Sequence, residues 1–120
     1  MLQIMPESEG KIIGLSVAGK LTERDYREVL IPTLAALIKQ HGKIRLLCFL
    51  DEKFAGMEAG AMRDDAKFVL PRKDDFEKIA MAGGPQWMQL SLKLFAPLMQ
   101  GEVRVFSGGQ LPEAWEWIRA

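Results

Sequence analysis

His41 is the only histidine of the chain and Cys48 the only cysteine, so any chemistry at either would have to recruit partners from a distance. A catalytic nucleophile needs an adjacent base and a third group to orient that base. Cys48 lies inside the apolar run Ile44 to Leu50 and reads as a buried thiol, and no serine stands in a Gly-x-Ser-x-Gly elbow. His41 falls in the last turn of a helix, where an imidazole favours the negative end of the helix dipole. One histidine and one cysteine offer little to a metal, so neither a metal site nor a cofactor is expected. The adjacent carboxylates Asp64-Asp65 and Asp74-Asp75 are the remaining candidates, because paired acids can hold a hard cation or share a proton. Neighbours on a helix or strand point apart, and Lys67, Arg72 and Lys73 lie close by, so both pairs read as charged surface. Gly83-Gly84-Pro85 stands between a strand and a helix but matches neither the dinucleotide nor the P-loop spacing, and a tight turn is expected. No catalytic residue is assigned, and the chain reads as a binding protein, not an enzyme.

The informative pattern is apolar. At about 100° per residue, Trp87, Leu90, Leu94 and Leu98 form one stripe of a helix and Met88, Leu92, Phe95 and Met99 form a second beside it. One stripe suffices to dock on a sheet; the other needs a neighbouring helix, a dimer partner, a pocket or a bilayer surface. Met57, Met62 and Phe68 fall on a weaker helix over residues 57–70, and methionine-rich surfaces adapt to apolar ligands of varied shape. Gly56 and Gly60 lower the stability of that helix and would let it swing. Phe54, Met57, Met62, Phe68, Trp87, Met88, Leu92 and Phe95 are therefore expected to line an apolar cleft between the two helices.

Positioning those side chains requires a scaffold, and the sequence supplies one. Residues 2–5 and 11–18 read as a hairpin across the turn Pro6 to Gly10. A helix follows from Thr22, which can cap it with Asp25 reaching back, to Gln40, with Gly42 as its stop and Pro32 expected to kink it. Residues 44–50 read as a central strand buried on both faces, 76–82 and 102–106 as further strands, 86–99 as a helix, and 111–119 as a terminal helix opened by Pro112. Strands alternating with helices call for a largely parallel, five-stranded sheet in an α/β fold with an N-terminal hairpin and four main helices. A length of 120 residues, without repeat or linker, makes residues 1–120 one domain. Zero formal net charge and no basic run beyond Arg72-Lys73 argue against nucleic acid as a partner. With no signal peptide and no apolar run near the roughly 20 residues of a membrane span, a soluble cytoplasmic protein is expected.

Specific residues also match a known family. Asp25-Tyr26 through Pro32 to His41-Gly42-Lys43-Ile44-Arg45-Leu46-Leu47, then Asp51, Phe54 and Gly56, then Phe76 to Ala80 with Gly83 and Trp87, and finally Val103 to Phe106 with Glu113-Ala114 and Trp117, resemble the SpoIIAA-like family. The resemblance implies a β-α superhelix of the STAS type, the fold of anti-sigma-factor antagonists, related in layout to CRAL-TRIO lipid-binding domains. The second likeness implies an apolar small molecule or lipid as ligand, with peripheral contact to the inner face of a membrane; the first implies a protein-interaction module. In the antagonists a serine at the start of the second crossover helix is phosphorylated. Here no serine or threonine lies between Thr33 and Ser91, so that switch has no acceptor. Asp65 matches a position often acidic in the family and is expected to fix a local contact. A homodimer that buries Met88, Leu92, Phe95 and Met99 is the competing expectation for the helix over 86–99.

Overall fold

The computed structural model describes residues 1–120. Strand β1 (Leu2–Ile4) lies antiparallel to β2 (Ile12–Leu21), with Leu2 opposite Val17 and Ile4 opposite Leu15. Strands β3 (Ile44–Met57), β4 (Phe76–Gly83) and β5 (Glu102–Phe106) then add in parallel, and the sheet order β1-β2-β3-β4-β5 is also the chain order. Parallel strands that follow one another in space and sequence, joined by right-handed crossovers, put every connecting helix on one face. On that face stand α1 (Glu23–Asp25) with α2 (Ile31–His41), then α3 (Ala59–Val69) and α4 (Gln86–Phe95); α5 (Leu111–Arg119) covers the other face alone.

Alternation along the strands divides the core accordingly. Ile13, Leu15 and Val17 of β2 join Ile44, Leu46 and Leu50 of β3 beneath the crossover helices, while Leu47, Ala80, Ala82 and Phe106 meet Ala114, Trp115 and Ile118 of α5. Gly14 lets α5 approach: a Cβ there would lie 2.5 Å from the Trp115 ring. Arg45 Nη1 donates to the Ile118 carbonyl at 2.9 Å and Lys78 Nζ to the Trp117 carbonyl at 3.0 Å, which satisfies orphan carbonyls at the helix C-terminus.

Three local readings are revised by tertiary structure. The helix expected from Thr22 to Gln40 opens with the Thr22–Asp25 capping box, then passes through a π turn over Tyr26–Leu30 before α2, with Ile31 N–H donating to the Tyr26 carbonyl. That wider turn lies directly before Pro32, which has no N–H to continue the ordinary ladder. Strand β3 does not end at Leu50; Asp51 to Met57 continues it, paired with Gly19 to Leu21 of β2 through a bulge. Its charged run Asp51-Glu52-Lys53 and Gly56 read as loop, but the free edge of β2 supplies the hydrogen bonds that decide the matter. The following helix begins at Ala59, not Met57, and Leu70–Arg72 closes it as a 3-10 turn.

Candidate functional site

Between the sheet and the helices α3 and α4 lies a cavity of about 490 Å³, and 21 of its 23 lining residues are hydrophobic. Its floor is the helix-side face of β2, β3 and β4, including Leu15, Cys48 and Ile79. Its mouth lies between α3 and α4, where Met62, Trp87 and Phe95 border the cavity while remaining 41%, 46% and 44% exposed. Of the expected lining, Met57, Met62, Trp87, Met88, Leu92 and Phe95 are brought together here. Phe68 and Phe54 are not. Phe68 turns into the sealed core and is 5% exposed, with the Arg72 guanidinium 4.2 Å above its ring. Phe54 rides on the extension of β3 and lines a different depression.

That second depression has a topological cause. β3 stays paired with β2 beyond Leu50 but parts from β4, whose last partner is Gly83 opposite Leu50, and the divergence opens a groove of about 560 Å³. Asp51, Glu52, Phe54 and the turn Gly83-Gly84-Pro85 line it, and Leu50 and Trp87 form the wall it shares with the apolar cavity. Gly83 and Gly84 adopt φ of 80° and 84°, as a tight turn requires, and Gln89 Nε2 donates to the Gly83 carbonyl at 3.0 Å.

The apolar cavity holds a polar cluster. Tyr26, only 5% exposed, donates its hydroxyl hydrogen to Asp65 Oδ1 at 2.9 Å, and both residues line the cavity together with Cys48. No other protein donor reaches the Asp65 carboxyl. Burial raises the Asp65 pKa from its ordinary value, partly offset by the Tyr26 hydrogen bond. Burial likewise pushes the Cys48 thiol up to about 12, helped by the negative charge of Asp65, and the Tyr26 phenol is raised by burial and then by Asp65. A half-buried carboxylate loses part of its hydration, and one hydrogen bond from a hydroxyl returns only part of that cost. Sequence reasoning anticipated a local contact at Asp65 but missed its partner, 39 residues away in the chain.

The other acid of the pair behaves differently, as helix geometry requires. Asp64 points away from the cavity and meets Arg27 Nε at 3.2 Å, and Arg27 also pairs with Glu23, which in turn meets Arg63 at 3.3 Å. Gly60 lets α3 come against the Glu23 carboxylate, a position a Cβ would occupy, so it serves close packing where the sequence suggested only looseness. Asp74 is exposed, and His41 is exposed at the end of α2. No group of three or more His, Cys, Asp or Glu side chains is placed to hold a metal ion. No helix is long and apolar enough to cross a membrane.

The two stripes of the 86–99 region also find their places, the helix giving way to a 3-10 turn at Ala96–Leu98. Met88, Leu92 and Met99 pack toward the core, with Phe95 at the rim. Leu90, Leu94 and Leu98 are 57%, 73% and 53% exposed and, with Trp87, form an uncovered apolar strip. The surplus stripe is thus the one containing Leu90 and Leu94, and a dimer would bury that stripe, not the one containing Met88 and Leu92.

Fold and site together define a singly wound α/β domain with an apolar chamber between its sheet and two of its crossover helices. The family model described as SpoIIAA-like matches residues 12–119, and the chain belongs to that family. The crystal structure of an uncharacterized protein of the DUF3478 family with a SpoIIAA-like fold, from Shewanella loihica PV-4, superposes with a TM-score of 0.76. The two are 21% identical, and the match covers 98% of this chain and 93% of the other, which establishes the shared fold. No curated protein matches this chain.

Proposed function

We propose that this chain is a non-enzymatic binding domain that takes an apolar small molecule or lipid into the cavity between α3, α4 and the sheet. The carrying observation is the cavity itself: about 490 Å³ falls within the roughly 300–1,000 Å³ of small-molecule sites, with an almost wholly hydrophobic wall. Methionines at 57, 62, 81 and 88 line it, and their flexible side chains suit ligands of varied shape. The uncovered strip of Trp87, Leu90, Leu94 and Leu98 lies beside the mouth, so the same reading has the protein rest that strip on the inner face of a membrane while ligand passes.

Native mass spectrometry and organic extraction of purified protein test this. A co-purifying apolar molecule, or saturable binding of a neutral fluorescent apolar probe that Leu92→Trp abolishes by filling the chamber, is the expected result. Empty protein that also ignores the probe overturns it. Family membership favours a second reading, a STAS-type protein-interaction module working through the segment from Asp51 to Ala61 without phosphorylation. A stoichiometric protein partner lost on Phe54→Ala but retained in Leu92→Trp would select that reading.

A further inference from the structure

The walls of the chamber are apolar but for Asp65 and Ser91, and the Ser91 hydroxyl donates to the Trp87 carbonyl of its own helix at 2.8 Å, which leaves Asp65 as the point built for something else. The Tyr26 hydroxyl occupies only Oδ1 of Asp65, and no other protein donor satisfies the carboxyl. The other titratable groups facing that space are Tyr26 itself and the Cys48 thiol, both kept neutral by burial. Asp64 and Arg27 neutralise each other on the outer side of α3 and send no cation inward. Asp65 is half-buried, and a partly desolvated acceptor left half satisfied on the wall of an apolar chamber is a selective feature, because a ligand without a donor covers it and gives nothing back. The Tyr26 hydrogen bond holds one oxygen of the carboxyl, so the side chain is oriented before any ligand arrives.

We infer that Asp65, oriented by Tyr26, is the polar recognition point of the chamber, and that the ligand carries a hydrogen-bond donor, a hydroxyl or an amine, on an otherwise apolar body. This rests on the cavity reading above and narrows it to a ligand class. Plain hydrocarbons and ethers of the same length are the disfavoured competitors. Charge separates the two donor heads: an ammonium gains from an ionised Asp65, whereas an alcohol needs only an acceptor oxygen.

The test is competition for the chamber. A neutral fluorescent apolar probe is bound to the full-length protein and displaced by 1-octanol, by octylamine and by methyl heptyl ether, an analogue of octanol length without a donor. Wild type is expected to prefer octanol and octylamine to the ether by about tenfold or more. In Asp65→Leu the probe still binds but that preference falls to about twofold or less. Asp65→Asn keeps the shape of the side chain but removes the negative charge and leaves one acceptor oxygen to be shared with the Tyr26 hydroxyl, so octylamine loses its advantage entirely while octanol loses only part of its own. A merely structural hydrogen bond would not move head-group preference in this split manner, and the Asn variant keeps the question open to decision if the Leu variant does not fold. Probe binding with no head-group preference in wild type, or with the same preference in both variants, overturns the assignment of Asp65 and leaves the cavity standing. Absence of probe binding in wild type removes both.

Discussion

Glu77 shows what single residues do for this fold. Its carboxylate accepts from Lys11 Nζ at 2.8 Å and Arg45 Nε at 2.6 Å, joining the starts of β2, β3 and β4, and those hydrogen bonds lower its pKa to about 2 from an ordinary 4.5. A depressed folded-state value means the contribution is present above pH 4.5 and is lost as pH falls through about 2. Thermal melts should therefore show wild type losing more stability between about pH 5 and pH 2 than Glu77→Gln does. Equal acid sensitivity would show the ion pairs to be fully screened, as exposed pairs often are. Asp65 has the opposite sign: with its folded-state value raised, the charged form costs stability, which falls as pH rises through that value. At this scale the sequence was readable wherever partners are close along the chain. Thr22 and Asp25 form the box their spacing announces, whereas the Tyr26–Asp65 bond joins two helical segments and has no local signature.

At the scale of elements, α3 and α4 exchange the roles their composition suggests. The glycines around α3 read as a hinge, yet α3 buries Ala61, Asp64 and Phe68, and the cluster of Glu23, Arg27 and Arg63 ties it to the first helical segment. α4 contains no fully buried residue and shows solvent an apolar strip. The more movable wall of the chamber is thus α4. Hydrogen exchange followed by mass spectrometry should find α4 amides exchanging faster than those of α3, since local opening follows buried contact. The reverse order would return the gate to α3. β5 and α5 were legible to the residue, because a short β-branched run and a proline-opened amphipathic stretch carry their own instructions. The extension of β3 was not, because Asp51 to Met57 is a strand only by virtue of the β2 edge beside it.

The whole molecule combines an uncovered apolar strip with no net charge at pH 7 and a sequence pI near 6.6. Electrostatic repulsion between copies is then weakest near neutrality, where contacts between apolar surfaces act unopposed. Light scattering should show the strongest self-attraction near pH 6.6, and the double substitution Leu90→Lys with Leu94→Lys should suppress it. Scattering indifferent to that pair would place self-association on another surface. The strip faces outward for a reason of assembly: three crossover connections share one face of a five-stranded sheet, and α4 reaches that face with only one of its two stripes.

The order of strands and helices, the two apolar stripes, the caps and the absence of a phosphorylatable hydroxyl near the second crossover were all fixed by residue type and spacing, since periodicity and turn chemistry act within a few residues. Which stripe faces inward, where β3 ends, the chamber and the Tyr26–Asp65 pair in its wall were decided only by tertiary structure. Each depends on surfaces contributed by segments tens of residues apart, and a chain position carries no record of what will stand opposite it.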